Sequence, residues 1–142
     1  MNPATATLPE QLELSVTRLA HVLQREGGAG LSRSAASVLH RLSTEGPQRV
    51  TELAAWESIA QPSATALVGR LEAQALVMRG ADPDDGRAVR VSITGEGEAL
   101  LAARRRARAE SLGARIDALG ARERATLAAA LPLLERLAEL PA

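Results

Sequence analysis

Residues 76–97 read LVMRGADPDDGRAVRVSITGEG, two short runs of strand-forming residues around a cluster suited to a turn. Residues 76–79 form the first run. In the second, residues 88–93, Val89, Val91 and Ile93 alternate with Ala88, Arg90 and Ser92, the period of a strand with one covered face. Between them Asp82, Pro83, Asp84, Asp85 and Gly86 supply turn chemistry, so the stretch predicts a β-hairpin. A helical pattern precedes it, running to about Ala75, with Leu67, Leu71 and Ala64 on its core side and Pro62 in its first turn. Proline is tolerated there because its missing N–H would have no partner in any case. A shorter helix from about Thr51, with Leu53, Ala54 and Trp56 turned inward, comes before Ser58, Ile59 and Ala60. Two short helices across a brief turn make a helix-turn-helix. The hairpin that follows gives it a wing.

The flanks are helical. Leu8, Leu12, Val16, Leu19 and Leu23 step by four, four, three and four, one stripe of a helix that Gly27, Gly28 and Gly30 end. Ser32 is the expected N-cap of a second helix with Ala35, Val38, Leu39 and Leu42 inward, stopped by Gly46 and Pro47. After the hairpin a long helix runs from Gly95 to about Leu119 with Leu100, Leu101, Leu112 and Ile116, and Gly113 is a weak point inside it. Gly120 breaks it. A last helix carries Leu127, Leu131, Leu134 and Leu137, and Pro132 is expected to kink or divide it. Residues 1–7 read as a frayed lead-in.

Composition narrows the function classes. The 142 residues suit one domain with a real core. There is no cysteine, which removes disulfides, thiolate metal sites and thiol redox switches from the chain. No window approaches about 18 consecutive apolar residues, and the N-terminus lacks a secretory pattern, so a soluble cytoplasmic protein away from membranes is expected. Seventeen basic residues, all arginine, balance seventeen acidic ones. A protein that coats nucleic acid by bulk charge has a basic excess, so any DNA binding would have to come from locally placed cations. Catalysis finds no nucleophile with a base, no phosphate loop and no carboxylate pair, and no enzyme is expected. His21 and His40 stand without further ligands at metal spacing. Neither a metal nor a cofactor is expected.

The order of elements and several motifs resemble the MarR family of winged helix-turn-helix regulators along nearly the whole chain. Val50-Thr51-Glu52-Leu53-Ala54 is similar to the family's first motif helix, and Pro62-Ser63-Ala64-Thr65 with Val68-Gly69-Arg70-Leu71-Glu72 to its recognition helix. Arg79, Asp82-Pro83, Asp85-Gly86-Arg87 and Ile93-Thr94 with Gly97 resemble its wing signature, the more specific match. Ala66 departs from the pattern where many members carry arginine, and Ala75 where most carry glycine. The resemblance implies a mostly helical α+β fold: one domain over residues 1–142, a DNA-binding lobe at 32–97, and dimerisation helices at 8–26 and 98–140. It also implies a homodimer acting on double-stranded DNA at a pseudo-palindromic operator, more often as a repressor. A small, often aromatic or phenolic, effector is expected between dimer layer and lobe, although the usual aromatic lining is missing.

On that reading the recognition helix presents Pro62, Ser63, Ala64, Thr65 and Val68 to the major groove and Arg70 toward the backbone. The plainer alternative is a solvated face of small residues. In the wing, Asp85 is expected to accept from Arg87 or from the hairpin backbone and to fix that guanidinium for the minor groove. Asp82 and Asp84 are read as turn formers, and Arg90 as a phosphate contact. The alternative for the Asp85–Arg87 pair is a brace of the turn. Arg104, Arg105, Arg106 and Arg108 are read as a solvated helix face and Trp56 as core. Leu12, Val16, Leu19, Leu127, Leu131, Leu134 and Leu137 are the expected dimer contacts, being more apolar surface than the small lobe can satisfy. The rival reading is a winged-helix protein-interaction module that no longer binds DNA, for which the neutral charge and Ala66 argue.

Overall fold

A computed structural model describes residues 6–26 and 30–141, and Gly27 and Gly28 lie outside that set. The elements follow in the order α1 (Leu8–Glu26), α2 (Arg33–Glu45), β1 (Gln48–Arg49), α3 (Val50–Glu57), α4 (Gln61–Ala73), β2 (Val77–Ala81), β3 (Val89–Ile93), α5 (Gly95–Asp117) and α6 (Ala121–Glu139). The fold is mostly helical with one small antiparallel sheet ordered β1-β3-β2. No helix among the described residues is long and apolar enough to cross a membrane.

Local chemistry sets the helix ends. Thr7 opens α1, its N–H and hydroxyl donating to Glu10 at 2.7 and 2.8 Å, which satisfies a donor that the helix leaves unpaired. Ser32 caps α2 by accepting from the Ala35 N–H at 3.1 Å. Gly46, at φ 78°, closes it by donating its N–H to the Leu42 carbonyl. Glu52 accepts from the Arg49 N–H at 2.6 Å and starts α3 directly from strand β1. That strand, of two residues, was too short to show a period in the sequence.

One apolar cluster holds the lobe together. Val38, Leu39 and Leu42 of α2 meet Leu53 of α3, Leu67, Val68 and Leu71 of α4, Leu76, Val77 and Val91 of the hairpin, and Leu101 of α5. Burying a side chain of this size contributes about 1.5–3 kcal/mol. The sheet register pairs Val77 with Ile93, Arg79 with Val91 and Ala81 with Val89. The hairpin therefore runs two residues further toward its tip than the hydrophobic pattern reaches, and there Val89 is exposed because the strand has outrun the core.

Three other expectations are corrected. Trp56 is 53% exposed; its ring lies under the Arg41 guanidinium, 4.4 Å from carbon to centroid, and its indole N–H donates to the Ser37 hydroxyl at 3.4 Å. A cation over the ring and a partner for the N–H let it cover the surface of α2 without entering the core. Arg104 is not solvated but 4% exposed, on the inner face of α5. Finally, of the two outcomes expected at Pro132, division does not occur: α6 continues across it as one helix.

The terminal helices differ from the lobe. α5 packs on both α1 and α2, with Glu26 of α1 joined to Arg115 and Ser111 of α5. Yet α1 and α6 bury no residue in the single chain. Val16, Leu19, Leu127, Leu131, Leu134 and Leu137 are all exposed, and Leu12 is half-buried.

Candidate nucleic-acid interface

Helix α4 starts after the Ser58 turn, where a left-handed residue at φ 53° ends α3. Its first turn contains Pro62. Burial divides its residues. Pro62, Ser63, Thr65 and Arg70 are exposed, as are Gln61 and Ala66. Ala64 and Val68, at 2% and 1% exposure, belong to the core, and their assignment to a groove-facing set is corrected on that ground. The helical period accounts for it: Ala64, Leu67, Val68 and Leu71 step by three, one and three and so share the inward face. Gln61 was missed in the sequence because it precedes the apolar pattern, although a Gln amide at a helix start is a competent reader of adenine. Its exposure identifies it. Next to Gly69 a side chain would meet nothing within 4 Å, so the outer face of α4 is shallow and open to close approach.

The wing is organised by Asp82 rather than by Asp85. The Asp82 side chain is fully buried between two arginines: the Arg49 guanidinium lies 2.7 Å and the Arg90 guanidinium 3.1 Å from the same oxygen, Oδ2. Its other oxygen accepts from the Asp84 N–H at 2.9 Å. That backbone hydrogen bond first, and then those from Arg49 and Arg90, hold the Asp82 carboxyl down at about 2 against the desolvation that opposes them. Arg49 in turn has its pKa raised by Asp82. The reading of Asp82 as a mere turn former is therefore corrected: it ties the hairpin to β1. Arg90 is correspondingly engaged by Asp82 and, at 3.4 Å, by Asp84, so its first role is in this cluster and not as an outward cation.

At the tip Asp85 accepts from the Arg87 backbone N–H at 3.1 Å, and the Asp85 carbonyl from the Ala88 N–H at 2.9 Å. Of the two acceptor roles expected for Asp85, the backbone one is seen. The Arg87 side chain is exposed, and among the described residues it forms no ion pair. An acidic turn thus ends in an available cation, because Asp82 is turned inward and Asp85 faces its own backbone.

Thr94 joins the wing to α5. Its hydroxyl donates to the Ala75 carbonyl at 2.6 Å and accepts from the Gly97 N–H at 3.1 Å, capping the helix. Its own N–H donates to the Leu76 carbonyl at 3.0 Å. Gly97 passes so close to Leu76 that a Cβ would sit 2.3 Å from that carbonyl oxygen. Arg79 pairs with Glu72 at 3.1 Å and fixes the end of α4 to β2. Reading helix and wing are therefore set on one body. Elsewhere, α1, α2 and α5 enclose a cleft of about 570 Å3 that Arg104 lines.

Comparison with known proteins agrees with this geometry. The profile of the MarR family matches residues 31–89. An HTH-type transcriptional regulator of Mycobacterium bovis is 36% identical over 140 residues, 98% of each chain. A crystal structure of a transcriptional regulator protein from Pseudomonas aeruginosa, 37% identical, superposes with a TM-score of 0.80 over 94% of this chain and 96% of that one. A Staphylococcus aureus MepR variant bound to an oligodeoxyribonucleotide shares the fold, with a TM-score of 0.69 over 96% of this chain and 99% of that one at 17% identity. The chain belongs to the MarR family and is a winged helix-turn-helix, DNA-binding regulator of transcription.

Proposed function

We propose that the protein is a cytoplasmic homodimer that recognises a pseudo-palindromic operator, represses transcription from it, and is released by a small effector. It is not an enzyme on this reading. The observation that carries it is the pairing of an open α4 face, with Gln61, Ser63, Thr65 and Arg70 outward, with an exposed Arg87 at the tip of a wing braced from within. Such a pair of elements suits one major groove and the neighbouring minor groove. Arg70 and Arg87 are the cations nearest this role. Arg90 contributes by holding the wing.

The exposed leucines of α1 and α6 support a second copy as the partner: large apolar patches left exposed are costly in water, and a two-fold dimer covers like with like. A dimer sets two α4 helices about one DNA turn apart. An effector in the cleft between α1, α2 and α5 acts by binding one lobe spacing better than the other. The fold relationship to a MepR variant solved with an oligodeoxyribonucleotide is consistent with DNA as the ligand.

The test is Arg87→Ala. Loss of a specific groove contact weakens operator binding by about 1–3 kcal/mol, and less where the flanks are G·C-rich and the minor groove is wide. Arg87→Lys recovers little, because the ammonium is more strongly hydrated and has no planar fork. Asp85→Ala costs less, and the two losses do not add in the double variant, since Asp85 shapes the turn that presents Arg87. Unchanged affinity for Arg87→Ala on the true operator at moderate salt refutes the wing contact and favours the protein-interaction module.

A further inference from the structure

The cleft between α1, α2 and α5 has an unusual charge balance. Arg104 and Arg108 project into it from α5 and Arg33 from α2, with His21 of α1 and His40 of α2 beside them. Among the described residues no carboxylate lines it. Arg104 is 4% exposed, and among the described residues the Nε groups of Arg104 and Arg108 have no hydrogen-bond partner. Burial first, and the charge of Arg108 second, lower the pKa of Arg104. An unmatched buried cation is costly, and two close together are more so.

We propose that this cleft binds a compact aliphatic dianion, a dicarboxylate or a phosphomonoester, held between Arg104 and Arg108 with Arg33 at the rim. Two negative charges answer the buried guanidinium of Arg104 and the half-buried one of Arg108 beside it, whereas a single carboxylate leaves one of them without a counter-charge. Guanidinium binds both carboxylate and phosphate oxygens through paired N–H donors. The cleft volume lies within the range of small-ligand sites. Among the described residues no Phe, Tyr or Trp lines it, and Trp56 lies outside the lining set, so a flat aromatic acid finds only the two imidazoles and no large apolar ring to stack on. The ligand would join α2 of the lobe to α5, which also packs on α1. The regulatory consequence rests on the effector reading above; the binding does not.

The experiment titrates the full chain, without DNA, with succinate, glycerol phosphate, butyrate and salicylate, using calorimetry and the emission of Trp56. That tryptophan reports on the cleft through its hydrogen bond to Ser37, a lining residue. Succinate or glycerol phosphate should bind at least tenfold more tightly than butyrate, and the better of the two identifies the class. Salicylate should bind no better than butyrate. Arg104→Gln and Arg108→Gln should each weaken the dianion at least tenfold, and Arg33→Gln less. Arg104→Leu, which removes an unmatched cation, should raise the melting temperature of the ligand-free protein; a merely structural arginine would lower it. The proposal is overturned if salicylate binds more tightly than both dianions, if no dianion binds, or if the Arg104 and Arg108 variants bind as the parent does. A lower melting temperature for Arg104→Leu overturns it too, since the protein would then already match that charge. A chain that ignored every operator would leave this result standing, and one that bound its operator but no dianion would lose only the ligand assignment.

Discussion

Replacing Gly97 with alanine tests the joint between the wing and α5 with a single methyl group. The added Cβ would lie 2.3 Å from the Leu76 carbonyl oxygen and 2.7 Å from Cγ1 of Ile93. Ordinary contact begins near 3.4 Å, so α5 or the strand must retreat by roughly 1 Å. Overpacking of this kind costs about 1–3 kcal/mol, and the upper end applies because the obstruction is backbone, not a side chain that can rotate. The same carbonyl accepts from the Thr94 N–H; straining that bond adds about 1 kcal/mol. Against this, alanine is better than glycine in a helix by about 1 kcal/mol. The net loss is about 2–3 kcal/mol, or roughly 6–12 °C in melting temperature for a domain of this size. Thermal melts at one fixed protein concentration measure it, since the proposed dimer would make the midpoint concentration-dependent. Gly113→Ala, in the same helix where a Cβ meets nothing within 4 Å, is the control and should gain about 0.5–1 kcal/mol. If Gly97→Ala melts with Gly113→Ala, at or above the parent, the close packing of α5 on the wing is wrong.

Three further outcomes follow from particular contacts. Ala75 holds a left-handed backbone at φ 58°, which costs a side-chain-bearing residue about 1–2 kcal/mol; Ala75→Gly should recover about 0.5–1 kcal/mol after the added unfolded-state entropy, and a destabilised variant in urea melts would contradict this. Asp82, with its carboxyl held at about 2 against an ordinary 3.8, contributes stability that is complete above about pH 4 and lost as pH falls through about 2. Acid titration should therefore show a loss in that window that is missing in Asp82→Asn, and identical acid profiles would remove Asp82 from the centre of the wing. Leu131→Asp with Leu134→Asp should leave a folded single chain by sedimentation and circular dichroism, because the core cluster includes no residue of α6; a variant that still sediments as a dimer would place the dimer contact elsewhere.

What the sequence disclosed followed from repetition, and what it hid depended on single contacts. The stripes of α2 and α4 and the hairpin turn were legible because a period of 3.6 or 2 is repeated over several residues. Ala64 and Val68 illustrate the limit: small apolar side chains fit a groove or a core equally well, and only the phase set by Leu67 and Leu71 decides between them. Trp56 was expected inside because it stands among Leu and Ala on a short helix, but one arginine above the ring and one serine at the indole N–H accompany it at the surface. The aspartates of the wing differ by which cation the fold brings near. Asp82 meets Arg49 across 33 positions of sequence, a pairing that exists only once β1 lies beside β3. No local pattern encodes it. Arg104 was likewise indistinguishable from its neighbours in an arginine run until α2 and α1 closed over one side of α5.

The central claim is sequence-specific binding of DNA by this helix and wing. A titration of the intact protein against the duplex upstream of its own gene, with a scrambled duplex of equal length as control, tests it most directly at a fixed moderate salt. Saturation at two chains per site is expected, with a preference over the scrambled duplex of about 1,000-fold or more, the lower bound for specific recognition. Equal affinity for both duplexes at every moderate salt would contradict it.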